Sequence, residues 1–164
     1  AVISNEPTAY GLRRARDGGI PTHVIDHRDF DRRTDFDKKL KGLINTLDPG
    51  LVVLAGFMRI LGLDLTEHFL GRMMNIHPSL LPEFGGKGFY GLNVHRAVIN
   101  AKKKITGATV HLVNHKYDQG SIIIQKEISV YNTDTPESLS KRVLKVEYDI
   151  YFKAVKLFCE NKMK

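Results

Sequence analysis

The feature that most constrains the fold is a run of five apolar residues, LVVLA, at positions 51–55. It follows Asp48, Pro49 and Gly50, which interrupt the helical spacing of the apolar residues before them. A strand without polar alternation is typical of a parallel sheet that is covered on both faces. The run therefore predicts a buried strand in an α/β sheet.

Strand-like and helix-like segments alternate through the first half of the chain, and an antiparallel pair and a long helix follow. We expect strands at residues 1–4, 23–26, 51–55, 73–76, 105–113 and 121–130, and helices at 7–17, 36–47, 63–69, 95–101 and from Thr135-Pro136 onward. This order predicts an α/β fold, a Rossmann-like, doubly wound, mostly parallel sheet with a late antiparallel strand pair and a long C-terminal helix. We expect one domain over residues 1–164.

Composition narrows the class of partner and the compartment. Lys and Arg number 25 against 18 Asp and Glu, a net charge of +7. Such a balance favours anionic partners such as nucleic acid, phosphate esters or polyanionic cofactors, or else a solvated basic surface. No apolar run approaches the roughly 18 residues of a membrane span. Cys159 is the single cysteine, so a reducing, cytoplasmic location is expected.

Two polar residues lie at the end of a predicted strand, where open α/β sheets bind ligands. Pro78 favours an extended conformation at His77, so Asn75 and His77 point to the same side of the chain. An amide and an imidazole would then face one cavity, although both could merely cap the strand. Asp118 lies in the turn YDQG at 117–120, where a structural Asp is equally compatible with the sequence.

Two further features leave their roles open. His111 lies in an apolar strand and could be a hydrogen-bonded core histidine. The sequence GGKG at 85–88 resembles a phosphate loop, but it lacks the spacing and the Ser or Thr of a P-loop. A flexible loop is the expectation there.

Four segments in this order resemble the folate-dependent formyltransferases that act on glycinamide ribonucleotide in purine synthesis. They are LAGFMRIL at 54–61, NIHPSLLP at 75–82, GATVH at 107–111 and YDQG at 117–120. The resemblance covers essentially the whole chain. It implies the formyltransferase fold and direct transfer of a formyl group from 10-formyltetrahydrofolate, without a metal.

The resemblance also implies roles for individual residues. Three match catalytic positions: Asn75, His77 and Asp118. Contacts to the folate co-substrate are implied for Arg33, Met58, Arg59, Ile60, Leu61, Asn75, Asn114, His115, Lys116, Tyr117 and Asp118. Contacts to the ribonucleotide are implied for Leu144, Lys145, Val146 and Glu147. We further expect Asn75 and a charged His77 to stabilise the formyl oxygen, with Asp118 keeping His77 charged.

The sequence departs from the family at its start. Members begin with a strand and a Gly-Ser-Asn loop that binds the substrate phosphate, and neither is present, so we expect an N-terminally truncated domain. The segment 83–93 is also longer than in many members. The implied partners are small molecules, with no nucleic acid and no membrane, in a monomer or homodimer.

Three alternatives stay open. A methionyl-tRNA formyltransferase shares the region around residues 77–82, and the positive charge would suit RNA. A formyltetrahydrofolate hydrolase would carry an N-terminal regulatory domain. A non-catalytic nucleotide-binding module could have the same fold, because fold alone does not determine function.

Overall fold

The computed structural model describes residues 1–161, which form six strands, five α-helices and one short 3-10 helix. The strands are β1 (Val2–Ser4), β2 (Thr22–Val24), β3 (Val52–Leu54), β4 (Met73–His77), β5 (Ile105–Leu112) and β6 (Ile122–Ser129). The helices are α1 (Tyr10–Asp17), α2 (Arg33–Leu47), α3 (Leu63–His68), α4 (Leu92–Asn100) and α5 (Pro136–Cys159), and the 3-10 helix is His27–Asp29.

These residues form two compact units. The first comprises Ala1–Gly50 with Leu61–Leu65, and the second comprises Leu51–Ile60 with the chain from Thr66 onward. The first unit contains the parallel pair β1–β2 and the helices α1 and α2. Its buried apolar residues are Leu12, Ala15, Ile25, Phe36, Leu40, Ile44 and Leu65. That residues 1–164 form a single domain stays a prediction.

The second unit is built on a four-stranded sheet of order β3-β4-β5-β6. The pair β3–β4 is parallel, whereas β4–β5 and β5–β6 are antiparallel. The predicted α/β fold, with parallel strands, a late antiparallel pair and a C-terminal helix, is confirmed. The antiparallel part reaches one strand further than predicted, and it places Asn75 opposite His111 and His77 opposite Thr109.

Several helix boundaries differ from the prediction. The helix predicted at 7–17 begins only at Tyr10, while α2 begins at Arg33 and α4 at Leu92, each three residues earlier than predicted. The first turn of α2 is polar, and apolar spacing cannot detect a turn that buries nothing. Among the helices in residues 1–161, none has the length and apolar character of a membrane span.

Helix α5 begins where the sequence predicts and supplies much of the core. The Thr135 hydroxyl accepts from the Ser138 N–H at 3.2 Å and the Ser138 hydroxyl accepts from the Thr135 N–H at 3.0 Å, which forms a capping box. Apolar side chains at helical spacing pack on the sheet: Leu139, Val143, Val146, Ile150 and Ala154. The Tyr151 hydroxyl lies 2.7 Å from the Leu54 carbonyl and 3.0 Å from the Met74 carbonyl. These contacts hold α5 against the strands that carry the polar residues discussed below.

Two leucines of α5 provide a test of this packing. Leu139 is fully buried, whereas Leu144 is 40% exposed. Leu139→Ala leaves a cavity and should lower the free energy of unfolding by about 2–5 kcal/mol. Leu144→Ala should change it by less than about 1 kcal/mol. Urea unfolding of both variants measures the difference, and equal losses would contradict the assigned burial.

Candidate active site

Asn75 and His77 extend from the same strand, β4, into one polar cluster of the second unit. The Asn75 amide nitrogen Nδ2 lies 3.3 Å from His111 Nε2. His77 Nδ1 lies 3.6 Å from Asp118 Oδ2, and His111 Nε2 lies 3.5 Å from Asp118 Oδ1. The structure therefore brings together the three residues that the sequence singled out, with His111 as a fourth member.

Asp118 occupies the turn between β5 and β6 in a left-handed backbone conformation, with φ of 52°. Its Oδ2 accepts a 2.8 Å hydrogen bond from the Gly86 N–H. Burial alone would raise the pKa of this carboxyl, but His111, His77 and the Gly86 N–H together lower it below the usual value. Asp118 is therefore ionised at neutral pH.

His77 is buried, with an acceptor near each ring nitrogen. Its Nε2 lies 2.8 Å from the Phe84 carbonyl oxygen, which can only accept, so Nε2 carries the proton. Burial lowers the pKa of His77 below its usual value, although Asp118 and the Phe84 carbonyl oppose that effect. The expectation that Asp118 keeps His77 charged is therefore wrong here: the ring is neutral at pH 7, and Nδ1 presents a lone pair beside Asp118.

His111 is the member of the cluster for which the sequence left two roles open. Its Nδ1 donates to the Leu112 carbonyl at 2.8 Å, so Nε2 donates toward Asp118 Oδ1 when the ring is protonated and accepts from the Asn75 amide when the ring is neutral. This contact orients the Asn75 amide and leaves its second N–H free to donate. The antiparallel pairing of β4 with β5 is the signal that could have placed His111 opposite Asn75.

His95, on α4, was not singled out from the sequence. It is buried, and its Nδ1 has no hydrogen-bond partner within the described part of the chain. Burial, together with the charge of His77 when that ring is protonated, lowers the pKa of His95 to about 4. His95 is therefore neutral at physiological pH.

A cavity of about 360 Å³ lies beside Asp118. It is lined by Leu81, Pro82, Gly85, Gly86, Tyr117, Asp118, Gln119, Gly120 and Ile122. The lining combines apolar residues, such as Leu81 and Ile122, with polar residues, such as Asp118 and Gln119, as is common in sites for small organic ligands. Within residues 1–161, no group of three or more His, Cys, Asp or Glu side chains is arranged to hold a metal ion.

The chain matches the formyl transferase family model over residues 1–155. It is 38% identical to phosphoribosylglycinamide formyltransferase of Escherichia coli over 164 residues, covering 100% of this chain and 75% of that protein. The chain belongs to the formyl transferase family.

Solved structures of the family agree with the fold. A phosphoribosylglycinamide formyltransferase from Coxiella burnetii, in complex with CHES, superposes with a TM-score of 0.87 at 45% identity, over 98% of this chain and 73% of that one. Glycinamide ribonucleotide transformylase 1 from Symbiobacterium toebii gives a TM-score of 0.90 at 39% identity, with the same coverage.

Other members of the family are longer. A chloroplastic phosphoribosylglycinamide formyltransferase from Arabidopsis thaliana is 37% identical over 99% of this chain, which spans 56% of that protein. The trifunctional purine biosynthetic protein adenosine-3 of Gallus gallus is 42% identical over 95% of this chain, which spans 15% of it.

The residues predicted to contact folate fall in both units. In the second unit, Met58 and Ile60 are exposed after β3, and Tyr117 is exposed in the turn that carries Asp118. Asn114 shapes that turn, because its Oδ1 accepts from the Lys116 N–H at 2.9 Å. The other members there are Arg59, which is half-buried, and His115 and Lys116, which are exposed.

Two of the predicted folate contacts belong to the first unit. Arg33 pairs with Asp37 across 3.7 Å, and Leu61 is half-buried. The folate-binding role of every residue in the predicted set stays a prediction.

The side chains of the four predicted ribonucleotide contacts differ in burial. The Val146 side chain packs in the core, while Leu144 and Lys145 are exposed. Glu147 is half-buried, and burial raises its pKa to about 7. A carboxyl with a raised pKa is common at sites that bind polar ligands. Glu147 is therefore the member of this segment best suited to a polar substrate.

The raised pKa of Glu147 predicts how stability changes with pH. The carboxyl titrates near 4.5 when unfolded and near 7 when folded, so stability present below pH 4.5 is lost as the pH rises through 7. In Glu147→Gln the side chain is an amide, which stays uncharged over this range of pH. Relative to the native chain, the variant should therefore gain on the order of 1–3 kcal/mol in unfolding free energy between pH 4.5 and 7.5.

Denaturant unfolding across that range measures the gain, with Asp149→Asn as the matched control. The pKa of Asp149 is lowered by hydrogen bonds from Lys126 and Lys153, so its titration is complete below pH 4.5. The control should show a constant offset from pH 5 to 8. A constant offset for Glu147→Gln as well would contradict the raised pKa.

Proposed function

We propose that the protein transfers the formyl group of 10-formyltetrahydrofolate to the amine of glycinamide ribonucleotide, giving formylglycinamide ribonucleotide in purine biosynthesis. The observation that carries the proposal is the partly buried cluster of Asn75, His77, His111 and Asp118 in a chain of the formyl transferase family. The cluster contains a free amide donor, an imidazole lone pair and an ionised carboxylate. Relatives named for this reaction support the choice of acceptor.

The first step requires a donor for the formyl oxygen. The amine attacks the formyl carbon, a C–N bond forms, and the C=O electron pair moves onto the oxygen. The Asn75 amide, already oriented by His111, donates its second N–H to that oxygen. One such preorganised donor contributes about 10²–10³-fold in rate.

The second step moves a proton. The attacking nitrogen becomes positively charged and releases a proton to the Nδ1 lone pair of His77. The resulting imidazolium is stabilised by Asp118 Oδ2, 3.6 Å away, and lies beside the oxyanion. His77 then returns the proton to the folate nitrogen as the C–N bond to folate breaks and the carbonyl re-forms. His77 thus begins and ends the cycle neutral, which agrees with its lowered pKa.

The substrates follow from the same proposal. The folate is held by the segments after β3 and before Asp118, with Arg33 as a further contact, and no metal takes part. Glu147 accepts from the ribonucleotide, and Leu144, Lys145 and Val146 form the adjoining surface. The partners are small molecules, without nucleic acid or membrane, for a cytoplasmic monomer or homodimer.

Variants of the cluster test the assignment. Asn75→Ala and His77→Ala should each lower kcat by about 10²–10³-fold, because each removes a group that acts on the transition state. His68→Ala, an exposed histidine of α3, should retain the native rate. The assay follows formylglycinamide ribonucleotide by chromatography at saturating substrates. Native turnover by His77→Ala would contradict the role of His77.

The pH profile tests the protonation state. If neutral His77 accepts the proton, kcat should be level around neutral pH and fall on acidification, with a midpoint below the usual pKa of histidine. Asp118→Asn removes a charge that raises the pKa of His77. The kcat of this variant should be lower than that of the native chain, and the acid limb of its pH profile should move to lower pH. A rate that rises on acidification would show that charged His77 is the active form.

Substrate specificity is tested on the native chain. The proposal predicts a product only when glycinamide ribonucleotide and 10-formyltetrahydrofolate are both present. Formylation of initiator methionyl-tRNA, release of formate without an acceptor, or binding of one ligand without turnover would each assign a different function.

A further inference from the structure

One short loop contacts both His77 and Asp118 through its backbone. The Phe84 carbonyl accepts from His77 Nε2 at 2.8 Å, and the Gly86 N–H donates to Asp118 Oδ2 at 2.8 Å. The two contacts are two residues apart in the chain. We name residues 83–86 the clamp segment.

The start of the clamp segment is fixed by Ser79. The Ser79 hydroxyl, which is fully buried, donates to the Glu83 carbonyl at 2.7 Å, and the Phe84 carbonyl lies further away, at 3.4 Å. The Ser79 carbonyl in turn accepts from the Thr109 hydroxyl at 2.7 Å. Ser79 therefore links the clamp segment to strand β5, two residues before His111.

A partly buried network of hydrogen bonds holds the chain between Ser79 and the clamp segment. The Thr109 hydroxyl accepts from the Leu81 N–H at 3.1 Å and from the Gln125 amide at 2.9 Å. The same Gln125 amide nitrogen lies 2.8 Å from the Leu81 carbonyl. Strands β5 and β6 thus both contact the base of the loop, and hydrogen bonds from two strands restrict its movement.

Gly85 allows the close approach of the clamp segment to Asp118. A Cβ at position 85 would lie 2.5 Å from Leu81 Cδ2 and 3.2 Å from Asp118 Cβ. The backbone at Gly85 does not have a positive φ, in contrast to Gly86 and Gly88. A side chain here would therefore require Leu81 and Asp118 to shift, because of lack of space rather than backbone conformation.

We propose that the clamp segment positions the catalytic pair, with Ser79 and Gly85 as positioning residues. Its carbonyl fixes the proton of His77 on Nε2 and so leaves the Nδ1 lone pair toward Asp118. Its Gly86 N–H orients the Asp118 carboxylate, which pairs with His77 when the imidazole becomes protonated. The catalytic consequence rests on the proposed formyl transfer, whereas the geometry can be measured without turnover.

The geometry is tested first by NMR on the native chain labelled with ¹⁵N. The chemical shifts of neutral His77 should show the proton on Nε2. The Gly86 amide shift should follow the titration of Asp118 and lose that titration in Asp118→Asn. The other titratable side chains around the pair are His111 and His95, so His111→Asn and His95→Asn identify their contributions. A proton on Nδ1, or a Gly86 amide that is insensitive to Asp118, would overturn the proposal.

The positioning role is tested with Gly85→Ala and Ser79→Ala, against Lys87→Ala, an exposed residue just beyond the clamp segment. Both clamp variants should lower kcat on the order of 10- to 100-fold, with KM changed much less. The weakened contact to the Phe84 carbonyl should also move the acid limb of kcat to lower pH. Lys87→Ala should match the native chain in both measurements.

A double variant separates positioning from general damage. Leu81→Val shortens the side chain whose Cδ2 the new Cβ would meet, so Gly85→Ala with Leu81→Val should recover part of the lost kcat. Circular dichroism establishes that each variant is folded. Native kcat and pH profile in folded Gly85→Ala and Ser79→Ala would overturn the positioning role.

Failure of the proposed function gives a different result. If no formylglycinamide ribonucleotide forms but the His77 tautomer and the Gly86 titration are as expected, the geometry of the clamp segment is supported and the reaction assignment is wrong.

Discussion

The imidazole of His77 lies between a backbone carbonyl and a carboxylate, and the other groups of the candidate site are arranged around it. Both contacts favour a charged ring, but burial opposes the charge and prevails. The balance leaves a neutral ring that readily gains a proton when negative charge develops beside it. A site with this property can hold a proton during formyl transfer and release it afterwards.

The fold could be predicted from local pattern because its strands and helices have strong apolar spacing. The apolar run that contains β3 and the capped start of α5 are both signals within a few residues of sequence, and the strand and the helix start are confirmed. The predicted burial of the strand is wrong for the described residues: β3 is an edge strand of its sheet, and Val53 is 42% exposed. The polar first turn of α2 gave no such signal. Nor could local pattern show that β4 pairs antiparallel with β5, because that pairing joins residues more than 30 positions apart.

The residues of the candidate site likewise divide into those that local sequence pattern predicts and those that it does not. Asn75 and His77 could be placed together from strand geometry, because alternate residues share a face. Asp118 could not, since an Asp in a turn is common and only the family resemblance distinguished it. His111 depends on the strand pairing just described. The sequence predicts a flexible loop at 85–88, whereas the Gly86 N–H contacts Asp118 and the Phe84 carbonyl, just before the loop, contacts His77. Such backbone contacts leave little trace in sequence.

The charge of the pair formed by His77 and Asp118 follows from their surroundings. His95 stays neutral, because burial brings its pKa to about 4, and His77 is neutral at pH 7. With Asp118 ionised and His77 neutral, this pair carries one negative charge. Protonation of His77 then brings it to zero rather than to a buried positive charge. An uncompensated buried charge is costly, so the free energy of protonating His77 is lower beside an ionised Asp118 than it would be without that carboxylate. The Gly86 N–H stabilises the ionised state of Asp118, which is the charged residue of the pair while His77 is neutral.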